Sequence, residues 1–460
     1  MRRSLIALST ALMLAAQPGR AADLMDVWHA AKQHDLDFAA ADAAHQAGEA
    51  RRTQAGTLWR PSVQFAGTAG RMTSETKVNG AQFSAPAFAQ TDGVNFNTSV
   101  TNGAMGRWSI EARQPLLNRA RQAQSRQLEL SADVADLEWQ NAQQTLMLTT
   151  AQRYFDVALA SEALRVLRQQ QGAVDRALTE TRDRHALGDI PVTGTYEAAA
   201  RAEAIKAQIL ATETDLQLKQ IALSDVTGLQ PEAMRFRFPA NESARAEVRA
   251  LDRWLADAAD RNPSLRMQVT RTEVANEEAA KFSLAASPTI DLVAQAGQDR
   301  LSGSGDFGAA SNNSSNWLIG VQITVPLYTG GYRSARQEEA IHLADKARAD
   351  ADRTRQQIAM QTRAAWLGLT VGAGRIAALA EALKANQARL DATRVGVEVG
   401  DRTTLDLLNA ANDAANAELA LLQARIGSLM DRLRLAALSG QLDEAQLQAV
   451  NATLQASGNR

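Results

Sequence analysis

Few residues in this chain are placed to do chemistry. In the run Gly400-Asp401-Arg402-Thr403-Thr404-Leu405-Asp406-Leu407-Leu408-Asn409, Asp406 and Asn409 stand three residues apart, so a helix would put both on one face. Two readings are open. Thr403 and Asp406 have the spacing of a capping box, and Gly400 suits the end of the preceding helix, which makes the run a helical hairpin turn. In a symmetric oligomer the same pair would ring an axis, where carboxylates sort ions by charge. Gly303-Ser304-Gly305-Asp306-Phe307-Gly308 has the spacing of a dinucleotide loop, but loop-like Ala, Ser and Asn residues follow it at 309–316. A pyrophosphate would need a helix N-terminus there. Asp306-Phe307-Gly308 lacks the lysine strand and catalytic loop of a kinase. The chain has no Cys, and His29, His34, His45, His185 and His342 have no metal-ligand spacing. No nucleophile triad, zinc helix or Walker loop is present. The expectation is a protein that is not an enzyme and needs no cofactor or metal.

The elements that must position these residues come next. The 460 residues carry a net charge of −2, which leaves no electrostatic footprint for nucleic acid. A hydrophobic fraction of 45% and a charged fraction of 22% exclude a disordered chain, and only 10 Pro favour long helices. Residues 1–21 read as a secretory signal: Arg2 and Arg3, an apolar run from Leu5 to Ala16, then Pro18 and the small residues Gly19 and Ala21. No later stretch holds the ~18 successive apolar residues of a spanning helix. The exported protein is therefore either soluble or embedded as a β-barrel, since only helices and closed barrels satisfy their backbone in lipid.

The chain repeats itself. SIEARQPLLNRARQAQ at 109–124 matches GVQITVPLYTGGYRSARQ at 320–337, and ALGDIPVTGTYEAAARAE at 186–203 matches EVGDRTTLDLLNAANDAA at 398–415. Each copy reads helix, strand, loop, strand, very long helix, helix. Ile358, Thr362, Ala365, Leu369, Gly372, Ile376, Leu379, Leu383, Asn386, Leu390, Thr393 and Val397 step alternately by four and three, the period of a coiled coil. If Tyr332–Val397 is one helix it is about 100 Å long. Its seam is half small or polar, which suits several helices sharing faces in the wall of a hollow cylinder.

Around 317–325, Trp317, Ile319, Val321, Ile323 and Val325 oppose Gly320, Gln322 and Thr324. Trp108, Ile110 and Ala112 oppose Ser109, Glu111 and Arg113, and Ile290, Leu292, Ala294 and Ala296 oppose Thr289, Asp291, Val293 and Gln295. The first strand, at Val63–Phe65, reads as shorter and weaker. Such alternation fits an outer-membrane barrel with Glu111, Arg113, Asp291 and Gln322 facing the lumen, and equally a half-exposed soluble sheet. Four strands cannot close a barrel alone, so either the sheet is open or several chains share one barrel. The Gly-, Ser-, Asn- and Thr-rich stretches 71–104 and 301–315 predict exposed loops.

With Asn262-Pro263-Ser264-Leu265, Val325-Pro326-Leu327-Tyr328-Thr329-Gly330-Gly331 and the 399–410 run in hand, the chain resembles the TolC family of Gram-negative outer-membrane channels over nearly all of its exported length. The resemblance implies a mixed α and β membrane protein. In it, a homotrimer gives four strands per chain to a 12-stranded β-barrel, continuous with a long periplasmic α-helical coiled-coil tunnel. It implies partners: a periplasmic adaptor, an inner-membrane ABC or proton-driven transporter, and outer-membrane lipid. It implies export of proteins (type I secretion) or small toxic molecules from a Gram-negative cell. The domain reading is a signal at 1–21, a first repeat at 22–239, a second at 240–440 and a periplasmic tail at 441–460, with 229–250 and the tail forming a belt. At the gate, Asp406 matches the first acidic ring and Asn409 stands where a second acid is frequent. Arg402 matches the basic gate position. Gly194 stands where its Asp partner is usual, and Val397 where a gating Tyr occurs. The competing reading is a periplasmic coiled-coil adaptor or structural protein without a channel, against which the duplicated strands speak.

Overall fold

A computed structural model of the chain describes residues 23–230, 236–239, 249–306 and 308–456. The export signal at 1–21, most of the expected belt segment, Phe307 and the last residues of the tail lie outside these ranges. The first elements are helices α1 (Leu24–His34) and α2 (Leu36–Thr57), strands β1 (Ser62–Ala85) and β2 (Phe88–Leu117), helices α3 (Arg119–Ala186) and α4 (Val192–Thr227), and strand β3 (Arg237–Pro239). There follow α5 (Leu251–Arg261), α6 (Pro263–Leu284), β4 (Thr289–Gly305), β5 (Gly308–Thr324), α7 (Tyr332–Glu398), α8 (Thr404–Leu438), α9 (Glu444–Ala452) and β6 (Leu454–Ala456). Matching helices have matching lengths: 11 residues for α1 and α5, 22 for α2 and α6, 68 and 67 for α3 and α7, and 36 and 35 for α4 and α8.

Local chemistry sets these boundaries. Between α1 and α2, Asp35 Oδ1 accepts the Phe38 N–H at 2.7 Å; between α5 and α6, Asn262 Oδ1 accepts the Leu265 N–H at 2.9 Å. Pro263 follows at the first helical position, where its missing N–H costs nothing. Gly188, Gly400 and Gly440 end α3, α7 and α8 with φ of 81°, 81° and 67°. In each case the glycine N–H and the next N–H turn back to the last helical turn (Gly400 to Val397 O, Asp401 to Gly396 O), the paired bonds of a Schellman cap.

The seam expected along α7 is present. From Ile358 to Val397 every seam position is buried or half-buried in the single chain, with mostly exposed residues between them. One expectation needs correction: α7 does contain a window apolar enough, by composition, to cross a membrane. The seam's alternating period runs through the helix, which suits packing on neighbouring helices rather than contact with lipid all round.

The chain divides into two compact units. One draws on residues up to Gln46, Ala135–Val269 and from Asp350 onward. Its core holds Trp28, Tyr154, Phe155, Leu422, Leu433 and Leu447. The first and last described helices, α1 and α9, are clasped there. Asn451 Oδ1 accepts the Leu24 N–H at 3.1 Å, Asn451 Nδ2 donates to Asp23 Oδ2 at 3.0 Å, and Trp28 Nε1 donates to Glu444 Oε1 at 3.1 Å. β3 pairs antiparallel with β6, so part of the tail is ordered.

The second unit, Ala47–Val134 and Thr270–Ala349, holds an open antiparallel sheet in the order β1-β2-β4-β5. Here the sequence reading is corrected. β1 is not short: it runs 24 residues, and β2 runs 30. The stretches read as loops at 71–104 and 301–315 are largely strand, with reversals near Ala87 and Asp306. Asn312, for example, pairs with Leu301. Thr, Asn and Ser suit turns by composition, but cross-strand pairing satisfies their backbone equally well once a hairpin extends beyond its apolar root. Gly303 and Gly305 lie in β4 and Gly308 opens β5, so the dinucleotide-like spacing falls at a hairpin tip with no helix N-terminus after it.

Candidate pore face and gate hairpins

Register decides which residues of the sheet share a face. Phe65 pairs with Ile110, Ile110 with Ala296, and Ala296 with Trp317, so these four lie in one row on one face. Neighbouring rows add Val63, Ala112, Ala294 and Ile319, then Leu292 and Val321. This face is bare: Trp317 is 79% exposed, Phe65 70% and Ile319 68%. From Ile323 to the level of Trp108 the band covers about 27 Å along a strand at ~3.4 Å per residue.

The opposite face gathers the four predicted polar residues. Glu111 pairs with Gln64 and Gln295, and Asp291 pairs with Gln322. Arg113 reaches Glu111 at 3.2 Å and, diagonally across the strands, Asp291 at 3.6 Å, while Gln64 Nε2 donates to Glu111 Oε2 at 3.2 Å. Sequence reasoning missed a second ion pair on this face, Arg107 with Asp299, which are direct cross-strand partners. No local pattern announces it, because the two are brought together only by the β2–β4 register.

The residues expected at the gate occupy two helical hairpins of the other unit. In the α7–α8 hairpin, Thr403 is the N-cap of α8. Its Oγ1 accepts the Asp406 N–H at 3.1 Å, and Asp406 Oδ2 accepts the Thr403 N–H at 3.0 Å and its hydroxyl at 2.8 Å. The capping-box reading of Asp406 is therefore fulfilled. The Thr403 N–H, then its hydroxyl, hold the Asp406 carboxyl below the ordinary range, with smaller help from Arg402 and Arg389. Asn409 follows on the same helix and is exposed. Leu408 beside it is buried in one cluster with Leu164, Val174, Ala177, Ala202, Ile205 and Ile209 of α3 and α4.

Arg402 reaches Asp401 at 3.9 Å. Gly396 lets the turn fold back on α7, since a Cβ there would lie 2.6 Å from Arg402 Cγ. Val397, one residue on, is half-buried and gives its carbonyl to Gly400. In the α3–α4 hairpin, Pro191 is the N-cap and supplies no side-chain bond. Gly194 takes the third helical position of α4, as Asp406 does in α8. A Cβ at Gly194 would meet Ile190 Cδ1 and Thr181 Cγ2 at ordinary contact distances of 3.7 Å. Among the described residues no cluster of His, Asp and Glu could hold a metal ion.

The chain is similar to known proteins. The profile of the outer membrane efflux protein family matches residues 27–229 and 254–441, most of the chain. The chain is 26% identical to outer membrane protein TolC of Escherichia coli (strain K12), over 80% of this chain and 74% of TolC. It is 27% identical to the proteases secretion protein PrtF of Dickeya chrysanthemi, over 99% of this chain and 96% of PrtF. In fold it is similar to the Campylobacter jejuni CmeC outer membrane channel, with a TM-score of 0.73 at 14% identity over 94% of this chain and 90% of that one. A bare apolar sheet face backed by a charged one, long seamed helices and these matches lead to one assignment: the chain belongs to the outer membrane efflux protein family, the TolC-type exit channels of the Gram-negative outer membrane.

Proposed function

We propose that three copies of this chain close a twelve-stranded barrel in the outer membrane and join their long helices into a periplasmic tunnel. Through it, an inner-membrane transporter and a periplasmic adaptor export cargo. The observation that carries the reading is the four-stranded sheet with two unpaired edges, β1 and β5, and an exposed apolar face. Neither edge nor face is tolerable alone in water. An even strand number sets β5 of one copy antiparallel to β1 of the next, so head-to-tail addition closes a ring without a flaw in the ladder. The apolar band faces lipid, and Glu111, Arg113, Asp291 and Gln322 face the lumen. A charge moved to the lipid side near mid-membrane would cost about 2–4 kcal/mol.

On this reading residues 22–239 and 240–440 are two copies of one ancestral unit, which the paired helix lengths support. The tail at 441–460 completes a belt through the β3–β6 pair. Three Asp406 carboxylates ring the tunnel's end, and Asn409 makes the next ring uncharged. Arg402, which has Asp401 beside it but no acid at Gly194, holds the gate less tightly than an arginine paired across the two hairpins would. The cargo class favoured is a secreted protein: AprF of Pseudomonas aeruginosa, an alkaline protease secretion protein, aligns over 96% of this chain and 89% of its own length, as PrtF does end to end. The test is fractionation followed by electrophoresis with and without heating. A trimer in the outer-membrane fraction that falls to monomer only on boiling is expected; a monomer in the soluble periplasm would overturn the proposal.

A further inference from the structure

The β1–β2 hairpin outgrows its neighbour. β2 pairs with β4 only as far as Thr101–Ser304, while β1 and β2 stay paired well beyond, from Ser74–Val100 toward the turn. What projects is a ribbon of two strands, a form only marginally stable alone in water.

The register follows each face of the sheet up into this ribbon. β1 is unbroken from Ser62 to Val78, so Ser74, Thr76 and Val78 continue the face of Gln64, the polar face of the sheet. On β2 the extra residue lies between Val100 and Gly103, where Asn102 has a φ of 52°. That bulge restores the match, placing Val100 and Thr98 opposite Ser74 and Thr76. Glycine geometry agrees independently: a Cβ built on Gly103 or on Gly303 would point at Val100 Cγ1, at 2.4 Å and 3.0 Å. Val100 lies over both glycines and is 6% exposed.

The two faces therefore exchange polarity along the strands. Below the bulge the outer face is apolar, with Phe65 and Trp317, and the inner face carries Glu111 and Arg113. Above it the outer face carries Glu75 and Lys77, paired at 2.9 Å, with Asn97 opposite Lys77, while Ser99 opposite Glu75 is buried and its Oγ accepts the Asp306 N–H at the β4–β5 turn. The inner face carries Ser74, Thr76, Thr98 and Val78, with Val94 beyond, and no charge, while Val100 on it is already covered within the chain. The outer polarity is what water above the membrane demands. The inner polarity is not what a water-filled mouth demands. In a ring of copies, whatever faces the axis faces the same surface of its neighbours.

We infer that the β1–β2 ribbons of neighbouring copies meet through the face carrying Thr76, Val78 and Thr98 and close the outer mouth of the channel, an inference that rests on the trimeric barrel proposed above. The reach is sufficient. Twelve strands about 4.8 Å apart, tilted ~40°, enclose a lumen roughly 24 Å across between backbones. From Ser74 to the turn each strand of the ribbon runs about 40 Å at ~3.4 Å per residue. The ribbons thus form an uncharged constriction of Thr and Val side chains that narrows the mouth at rest and is displaced by cargo.

The absence of Cys from the chain makes the test clean. Val78→Cys and Thr98→Cys are made singly on the inner face, with Lys77→Cys and Asn97→Cys on the outer. Intact cells are treated with a mild oxidant and run without reductant. The inner pair is expected to give cross-linked dimers within the trimer and to resist a membrane-impermeant maleimide; the outer pair is expected to label readily and cross-link many-fold less. Intact trimers with equal cross-linking from both faces, or none from Val78→Cys and Thr98→Cys, would overturn the closure and leave the channel reading standing. Failure of the unmodified chain to form a heat-sensitive trimer would remove both.

Discussion

Replacing Tyr154 by Phe should weaken the unit that holds both chain ends, and the loss should vanish at high pH. Tyr154 has no exposed surface, packs edge-on against Phe155 and Phe236, and its hydroxyl accepts the Arg237 N–H at 2.8 Å where β3 begins. Tyr154→Phe leaves that N–H without its acceptor, a cost of about 1–3 kcal/mol at neutral pH. Burial pushes the phenol up to about 12, opposed more weakly by the Arg237 N–H and guanidinium. A raised acid contributes stability that is complete below the unfolded value near 10 and is lost as pH climbs through 12. At about 1.4 kcal/mol per pH unit, that interval is worth roughly 3 kcal/mol. Guanidinium unfolding midpoints, followed by helical circular dichroism from pH 7 to 12.5, should show the wild type ahead at neutral pH and level with the variant or behind it at the top. Phenolate absorbance, wild type minus variant, should place the missing transition near 12. A gap between the two proteins that stays constant across this range would refute the reasoning.

Thr403→Ala removes the α8 cap but keeps the Asp406 charge; a destabilisation of about 1 kcal/mol is expected, with ion selectivity retained. Asp406→Asn should lower ion selectivity and, by removing the carboxylate that Thr403 holds ionised, weaken the cap as well, as thermal melts and reversal potentials measured side by side would show. Gly194→Asp should fold, since a Cβ there meets nothing closer than 3.7 Å, and should lower the resting open probability in single-channel records by giving Arg402 an acid. Asn262→Ala removes both the α6 cap and the amide bonded to Leu438 O at 3.0 Å; a loss of about 2 kcal/mol, read as a lower denaturant midpoint, is expected.

The parts of this structure that are legible in sequence are those set by short-range rules. The alternating four and three steps from Ile358 to Val397 announce a shared helical seam, and Gly400 with Thr403 and Asp406 announces a turn and a new helix. Strict alternation sorts Trp317, Ile319 and Val321 from Gln322, and Trp108 from Glu111. The ribbon was missed because Thr, Asn, Ser and Gly read as turn formers, whereas their pairing depends on partners 13 to 26 residues away, from Ala81–Val94 to Ser74–Val100, and on a bulge at Asn102. The clasp of Asp23 and Trp28 by Asn451 and Glu444 joins residues more than 400 positions apart, as does no local pattern. Arg107 with Asp299 needs the β2–β4 register, and Tyr154 with Arg237 needs the whole core.

Conductance of the purified trimer in planar bilayers tests the central claim most directly. The account predicts discrete openings that favour cations, with the preference reduced in Asp406→Asn and lost in the wild type only as pH falls below the ordinary carboxylate range. A folded trimer that inserts and never conducts would contradict it.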